Sequence, residues 1–185
     1  KSHKMSEPLV ILDRDGVINQ DSDSYIKSIE EWIPIPGSID AISRLSKAGY
    51  RVMVVTNQSG LARGFFDELC LANMHSYMRS LVETAGGNIE AVFYCPHGPD
   101  DGCNCRKPLP GMLNQIEEEF NLSVKNAFFI GDTEKDIDVG LAKHCLPILV
   151  RTGKGATTEK QIDLQKKDRI EIVNDLAAAV DLILK

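Results

Sequence analysis

No stretch of this sequence stays apolar for the roughly 20 residues a membrane span requires, and no secretory pattern opens it. A membrane-bound or exported protein is therefore not expected. Positive charge is also scarce: 21 Lys and Arg stand against 27 Asp and Glu, a net charge of -6. Diffuse attraction to nucleic acid needs the opposite balance, so a nucleic-acid partner is excluded as well. There is no even set of cysteines to pair, the five being Cys70, Cys95, Cys103, Cys105 and Cys145. An odd count without a signal argues against a disulfide framework and for a reducing compartment, the cytoplasm. Internal repeats and low-complexity tracts are missing, and Gly153-Lys154-Gly155 lacks the rest of a P-loop, which makes it a strand-exit loop. Nor is there length for two cores, because 185 residues fit one domain. Residues 1–4 show no core pattern ahead of Met5 and are read as a remnant outside the fold, leaving 5–185 as the domain.

What is present is an alternation of short apolar runs with helical spacing. Strands are expected over 8–12, 51–55, 89–94, 127–130 and 147–150. Helices are expected over 38–48, 67–85, 112–120, 137–143 and 172–184, with a polar loop and a helical turn over 152–167. Such alternation implies an α/β fold, an open parallel Rossmann-like sheet flanked by helices. Asp13, Thr56, Cys95 and Asp132 each fall at a strand end. In open α/β sheets the ligand crevice lies at the carboxyl ends of the strands, so one edge collects all four.

The first motif is L-D-R-D-G-V. Asp13 and Asp15, two apart, can both reach the crevice while Arg14 points away, and Gly16 permits the turn. A metal could gather Asp13 while Asp15 exchanges protons; a pair of solvated turn aspartates reads equally well. The second, V-T-N-Q-S-G, offers Thr56, Asn57, Gln58 and Ser59, whose hydroxyls and loop N–H groups could hold phosphate oxygens or form a plain polar loop. The third is the cation pair Arg106-Lys107 before Pro108. The fourth, G-D-T-E-K-D, brings Asp132 and Asp136 to a helix start.

Cys95-Pro96-His97 and Cys103-Asn104-Cys105 form a separate cluster. Three thiolates and an imidazole make a closed tetrahedral set, so a structural Zn²⁺ is expected on Cys95, His97, Cys103 and Cys105. It would rivet the loop that aims Arg106 and Lys107. Cys70 and Cys145 are read as packed thiols, His75 and His144 as packing or surface residues, and Trp32 as packing.

Together, in this order and at these strand ends, the four motifs resemble the haloacid dehalogenase superfamily of phosphatases along nearly the whole chain. The resemblance implies that Asp13 attacks phosphorus in line and becomes an aspartyl phosphate, and that Asp15 serves the leaving alcohol and then the hydrolytic water as acid and base. It implies Mg²⁺ on the Asp13 and Asp132 carboxylates and the Asp15 backbone carbonyl. Thr56 and Lys107 would neutralise the transferring group, with Asp136 orienting Lys107. A binding module that had given up catalysis would be expected to lack Asp13 or Asp15.

Within the superfamily, the C-P-H…C-x-C-R-K-P loop occurs in two groups without a large cap domain. These are heptose bisphosphate phosphatases, which feed bacterial heptose and lipopolysaccharide synthesis, and histidinol-phosphate phosphatases of histidine biosynthesis. L-D-R-D-G-V-I-N, T-N-Q-S-G-L-A-R-G and R-K-P-L-P-G-M resemble the first group more closely. That resemblance implies removal of the 7-phosphate of a D-glycero-D-manno-heptose 1,7-bisphosphate, and nothing in the sequence requires more than a monomer. Arg63 and Arg106 would meet the second phosphate, and Asp21 to Tyr25 would lie over the sugar. Two features point the other way: the short spacer between His97 and Cys103 resembles the histidinol group, and Thr133 stands where many heptose enzymes carry Lys.

Overall fold

The centre of the sheet is β1 (Leu9–Leu12), four consecutive buried apolar residues. In this computed structural model, which describes residues 8–185, β1 lies between β2 (Arg51–Asn57) and β4 (Phe128–Gly131). The remnant expected over 1–4 lies outside the described residues. With β3 (Ala91–Cys95), β5 (Leu146–Val150) and β6 (Glu171–Val173) the order is β3-β2-β1-β4-β5-β6, and every pairing is parallel. Strands covered on both faces read as continuous apolar runs, which is why β1, β2 and β5 are legible as Leu, Ile and Val.

Alternation along β1 divides the core. Val10 and Leu12 join a cluster on one face with Ala41, Ile42 and Leu45 of α1 (Ser38–Lys47) and Leu71, Met74 and Met78 of α2 (Glu68–Thr84). Leu176, Ala179 and Val180 of α7 (Leu176–Ile183) complete it. Leu9 and Ile11 face the other way, onto Met112, Leu113 and Ile116 of α3 (Gly111–Phe120) and Val139 of α4 (Glu134–Ala142). The helix starts are written in the sequence: Asp67 accepts from the N–H of Cys70, and Asp175 from that of Ala178. Trp32 packs edge-on against Tyr77 with centroids 5.8 Å apart, the packing role expected of it. Cys145 is buried, and Cys70 Sγ donates to the carbonyl of Lys27.

Three element expectations need correction. The terminal helix expected over 172–184 begins only at Leu176, because Glu171–Val173 is a sixth strand on β5. Its apolar residues fit both periods, and the cap at Asp175 separates the two elements. Residues 152–167 hold two short helices, α5 (Gly155–Gln161) and α6 (Leu164–Lys167), rather than a loop with one turn. α4 starts three residues early, because Thr133 and Asp136 cap it reciprocally. No cap domain interrupts the sheet among the described residues. No helix there is long and apolar enough to cross a membrane.

Candidate active site

The ends of β1, β2 and β4 converge on one polar pocket of about 290 Å³. Asp13 continues the β1 ladder by donating its N–H to the Ile130 carbonyl at 2.9 Å. The chain then turns at once, the Arg14 carbonyl accepting from the N–H groups of Val17 and Ile18. Gly16 takes a φ of 84°, and a Cβ there would collide with the Asp132 carboxylate, so this turn tolerates only glycine. Gly153 approaches the same carboxylate from β5 under the same constraint.

Lys107 sits beneath this turn, 5% exposed. Its ammonium donates to Asp13 Oδ1 at 2.8 Å, Asp136 Oδ1 at 2.7 Å and the Val55 carbonyl at 3.0 Å, using all three protons. Asn57 clamps the loop behind it: Oδ1 accepts from the Lys107 N–H at 3.0 Å, and Nδ2 donates to the Lys107 carbonyl at 3.3 Å. Asp136 is fixed in turn, its Oδ2 accepting from the N–H groups of Asp132 and Thr133 and from the Thr133 hydroxyl. Thr133 is thus the N-cap that aims Asp136.

Negative charge exceeds positive here. Carboxylate oxygens of Asp13, Asp132 and Asp136 lie within 4.8 Å of one another around a single lysine. Burial, then Asp13 and Asp136, push Asp132 up to about 9. Burial, then Asp136, push Asp13 up to about 6 against the pull of Lys107. Burial opposes the charge on Lys107, yet Asp13 and Asp136 outweigh it and raise its pKa. Asp132 Oδ2 accepts from the Lys154 N–H at 2.9 Å, whereas its buried Oδ1 has no partner. An orphaned carboxylate oxygen among hard oxygen donors fits a small divalent cation such as Mg²⁺. Both Asp136 oxygens are engaged, Oδ1 by Lys107 and Oδ2 by the start of α4, so Asp13 and Asp132 are the carboxylates left to it.

Asp15 lies beside the pair in a different environment. Its Oδ1 accepts from Arg14 Nε at 2.9 Å and Asn19 Nδ2 at 2.9 Å, with Arg14 Nη2 at 2.8 Å. Burial pushes this carboxyl up, but Arg14, Asn19 and Gln58 outweigh it and hold it below the usual carboxylate range. Arg14 points away from the pocket, as expected, but into the protein rather than to solvent, and is wholly buried. Gln58 Nε2 donates to the Thr56 hydroxyl oxygen at 2.9 Å, which leaves the Thr56 proton free for a ligand.

His75 of α2 meets Arg14 Nη1 through Nε2 at 3.1 Å. Burial first, and the Arg14 charge second, lower its pKa to about 3. An unfolded chain takes up that proton near pH 6.5, so the stability from a neutral His75 is complete above about 6.5 and is lost as pH falls toward 3. A His75→Gln variant should therefore lose less stability between about pH 7 and pH 4.5 than the parent, by at most about 1.4 kcal/mol per pH unit. Urea midpoints at the two pH values test this; parallel losses would mean that His75 is not held neutral.

The pocket walls include Asp21, Tyr25, Asn57, Gln58, Ser59 and Arg106 from the expected set, with Ser22 and Asp23. Arg63 stands outside it. The turn over 59–64, in which the Arg63 N–H donates to the Ser59 carbonyl, sends this side chain outward. Its guanidinium lies 5.9 Å from the Tyr25 ring centre. Two wall cations were missed in the sequence, Lys135 and Lys154. Lys135 sits inside G-D-T-E-K-D, and the two glycines around Lys154 were the only other signal.

Cys95, at the end of β3, is not the pocket-wall residue expected but turns to the other two thiols: its Sγ lies 2.8 Å from Cys105 Sγ and 3.7 Å from Cys103 Sγ. Burial pushes the Cys95 thiol up to about 12. His97 is exposed, and its ring nitrogens are not part of the set of ligand atoms that these three sulfurs form. The Asn104 carbonyl accepts from the Gly111 N–H at 2.9 Å, tying this loop to the start of α3.

A HAD-hydrolase-like family model matches residues 104–179. The chain is 51% identical, over 98% of its own length and all of the relative's, to the D-glycero-beta-D-manno-heptose-1,7-bisphosphate 7-phosphatase of Pseudomonas aeruginosa. It is 46% identical, over 96% of its length and 98% of the relative's, to the protein of that name from Bordetella bronchiseptica. The crystal structure of the D,D-heptose 1,7-bisphosphate phosphatase from B. bronchiseptica, complexed with magnesium and phosphate, superposes with a TM-score of 0.91 at 46% identity, covering 96% of this chain and 98% of that one. The Burkholderia thailandensis enzyme gives 0.76 at 38% identity, covering 97% and 99%. Similarity of this depth, end to end and in three dimensions, places the chain in the HAD-like hydrolase family, among its phosphatases of phosphoric monoesters.

Proposed function

We infer that this chain is a Mg²⁺-dependent phosphatase that removes the 7-phosphate of D-glycero-β-D-manno-heptose 1,7-bisphosphate through an aspartyl phosphate on Asp13. The observation that carries the reading is Asp13 held 2.8 Å from Lys107 in a pocket whose wall adds Arg106, Lys135 and Lys154. The relatives' shared name supplies the sugar and its β anomer.

Lys107 fixes the Asp13 carboxylate for in-line attack and places positive charge where phosphoryl oxygens gather. The Thr56 hydroxyl, its oxygen engaged by Gln58, donates its proton to one of them. Asp15 rests ionised beside Arg14. A phosphate dianion arriving next to it raises its affinity for a proton, which suits it to protonate the departing alcohol and later to deprotonate water. Asp13, Asp132 and the Asp15 carbonyl would hold Mg²⁺, which when bound neutralises the carboxylate and phosphoryl charges that must meet.

The second phosphate falls to Arg106, Lys135 and Lys154. Burial, then Arg106 and Lys154, depress the Lys135 pKa, a crowding of like charges that an anion relieves. The unpaired thiols support a reducing cytoplasm.

Cys95, Cys103 and Cys105 would bind Zn²⁺, with His97 turning in as fourth ligand; when bound, the ion supplies rigidity to the loop carrying Arg106 and Lys107. About one zinc per chain should copurify, and Cys105→Ser should lose both the metal and most of the activity. Folded, fully active protein without zinc would remove this site.

Phosphate release with Mg²⁺ on both heptose 1,7-bisphosphate anomers, beside histidinol phosphate, tests the substrate. Preferential turnover of the β anomer is expected. Preference for histidinol phosphate would mean that the spacing between His97 and Cys103 was the better guide.

A further inference from the structure

The position between the two first-motif aspartates holds an unusual side chain for a strand-end turn, an arginine with no exposed surface. A buried guanidinium is costly unless its N–H groups are engaged. Arg14 Nε donates to Asp15 Oδ1 at 2.9 Å and Nη1 meets His75 Nε2 at 3.1 Å, while Nη2 lies 2.8 Å from Asp15 Oδ1 as an ion pair without a hydrogen bond of its own. Guanidinium nitrogens only donate, so Nε2 must be the unprotonated nitrogen of a neutral ring, with the proton on Nδ1. His75 itself is 8% exposed, and its ring rests against Tyr94 of β3 with centroids 6.3 Å apart. Helix α2 and strand β3 therefore hold the imidazole, the imidazole holds the guanidinium, and the guanidinium holds the carboxylate.

The consequence lies in how the two Asp15 oxygens divide. Oδ1 is saturated by Arg14 and Asn19. Oδ2 has only Gln58 Nε2, at 3.4 Å, a weak contact. We propose that His75 is a positioning residue for proton transfer: through Arg14 it locks Asp15 Oδ1, so that Oδ2 is the oxygen presented to the leaving alcohol and to water. His75 touches neither substrate nor reacting atoms. The inference rests on the reading of Asp15 as acid and base given above.

A misaimed acid has a signature that general loosening does not share. An alkyl phosphate releases a strongly basic alkoxide and needs the proton during bond cleavage; p-nitrophenyl phosphate releases a stable phenolate and does not. The ratio kcat/KM covers steps only up to departure of the alcohol, so the later base role does not enter it.

The experiment compares kcat/KM on heptose 1,7-bisphosphate with that on p-nitrophenyl phosphate in four proteins: parent, His75→Leu, His75→Gln and Asp15→Asn. His75→Leu should lose roughly tenfold on the alkyl ester and less than about twofold on the aryl ester. His75→Gln, whose amide oxygen can accept from Arg14, should restore the alkyl rate to within about twofold of the parent. Should His75→Leu fail to fold, His75→Asn, too short to reach Arg14, reads the same quantity. Equal losses on both esters, no loss on either, or a selective loss in His75→Gln as large as that in His75→Leu would each overturn the proposal. Asp15→Asn separates the levels: it should show the largest selective loss. If it shows none, the acid role of Asp15 fails; if it does and the leucine variant does not, only the role of His75 fails.

Discussion

Asp13→Asn should abolish turnover, lowering kcat by roughly 10⁴-fold or more, while the protein stays folded. An amide is a far poorer nucleophile than a carboxylate, and no neighbour can stand in for it. Asp15 is tied through Oδ1 to Arg14 and Asn19. Asp136 spends one oxygen on Lys107 and the other on the cap of α4. Asp132 lies under the turns of Gly16 and Gly153. Folding should survive because asparagine keeps the shape and an oxygen for Lys107, and removes one charge from a crowded cluster. Steady-state phosphate release and a thermal melt on the same sample decide it. Normal activity in that variant would end the nucleophile assignment, and an unfolded variant would show Asp13 to be needed first for the core.

Lys107→Met should have the second large effect, and on two properties together. Removing one partner from a buried ion pair costs about 3–5 kcal/mol, because the charge left behind has neither water nor counter-ion. Here three carboxylates would remain. The site also loses the cation facing the transferring phosphate, a loss worth roughly 10²–10³ in kcat. The stability deficit should depend on pH in a defined direction. Asp13 already has its pKa pushed up to about 6, and without Lys107 it would rise further. As pH falls through that range the carboxylates take up protons and the repulsion fades, so urea midpoints of variant and parent should converge from about pH 8 toward pH 5. A constant gap would mean that lost packing of the lysine stem, rather than charge, governs the deficit.

How far the sequence led depended on whether a feature was local. β1, β2 and β5 were legible because both faces are covered, and the capped helix α2 because Asp67 and the twin glycines at 86 and 87 punctuate it. β6 was not, since three residues with Ile and Val fit a strand and a helix equally; only pairing with β5 decides. In the site, Asp13, Thr56 and Asp132 were placed correctly at the pocket because strand ends share one edge, whereas Cys95, expected with them, faces the thiol cluster instead. Arg63 was not, because a six-residue turn can send its side chain either way. Arg14 shows the limit most clearly. Its direction away from the crevice was legible, but not its burial: the chain leaves the strand at Asp13, and the turn that follows brings the guanidinium to Asp15 and to His75, 61 residues later. Lys154 was invisible for a related reason: its N–H is held by Asp132, just beyond β4 and 22 residues earlier.

The central place of β1 has a consequence for synthesis of the chain. β1 emerges first, but one of its two neighbours is β4. The roughly 120 residues from Asp13 to Asp132 take on the order of 6 to 24 s to translate at about 5–20 residues per second. Through that interval the growing polypeptide carries β1 with one side unpaired, an edge of free N–H and C=O groups at Val10, Ile11 and Leu12 open to pairing with another chain. A nascent chain stalled before β4 would hold Asp13 but not Asp132, and so no assembled site.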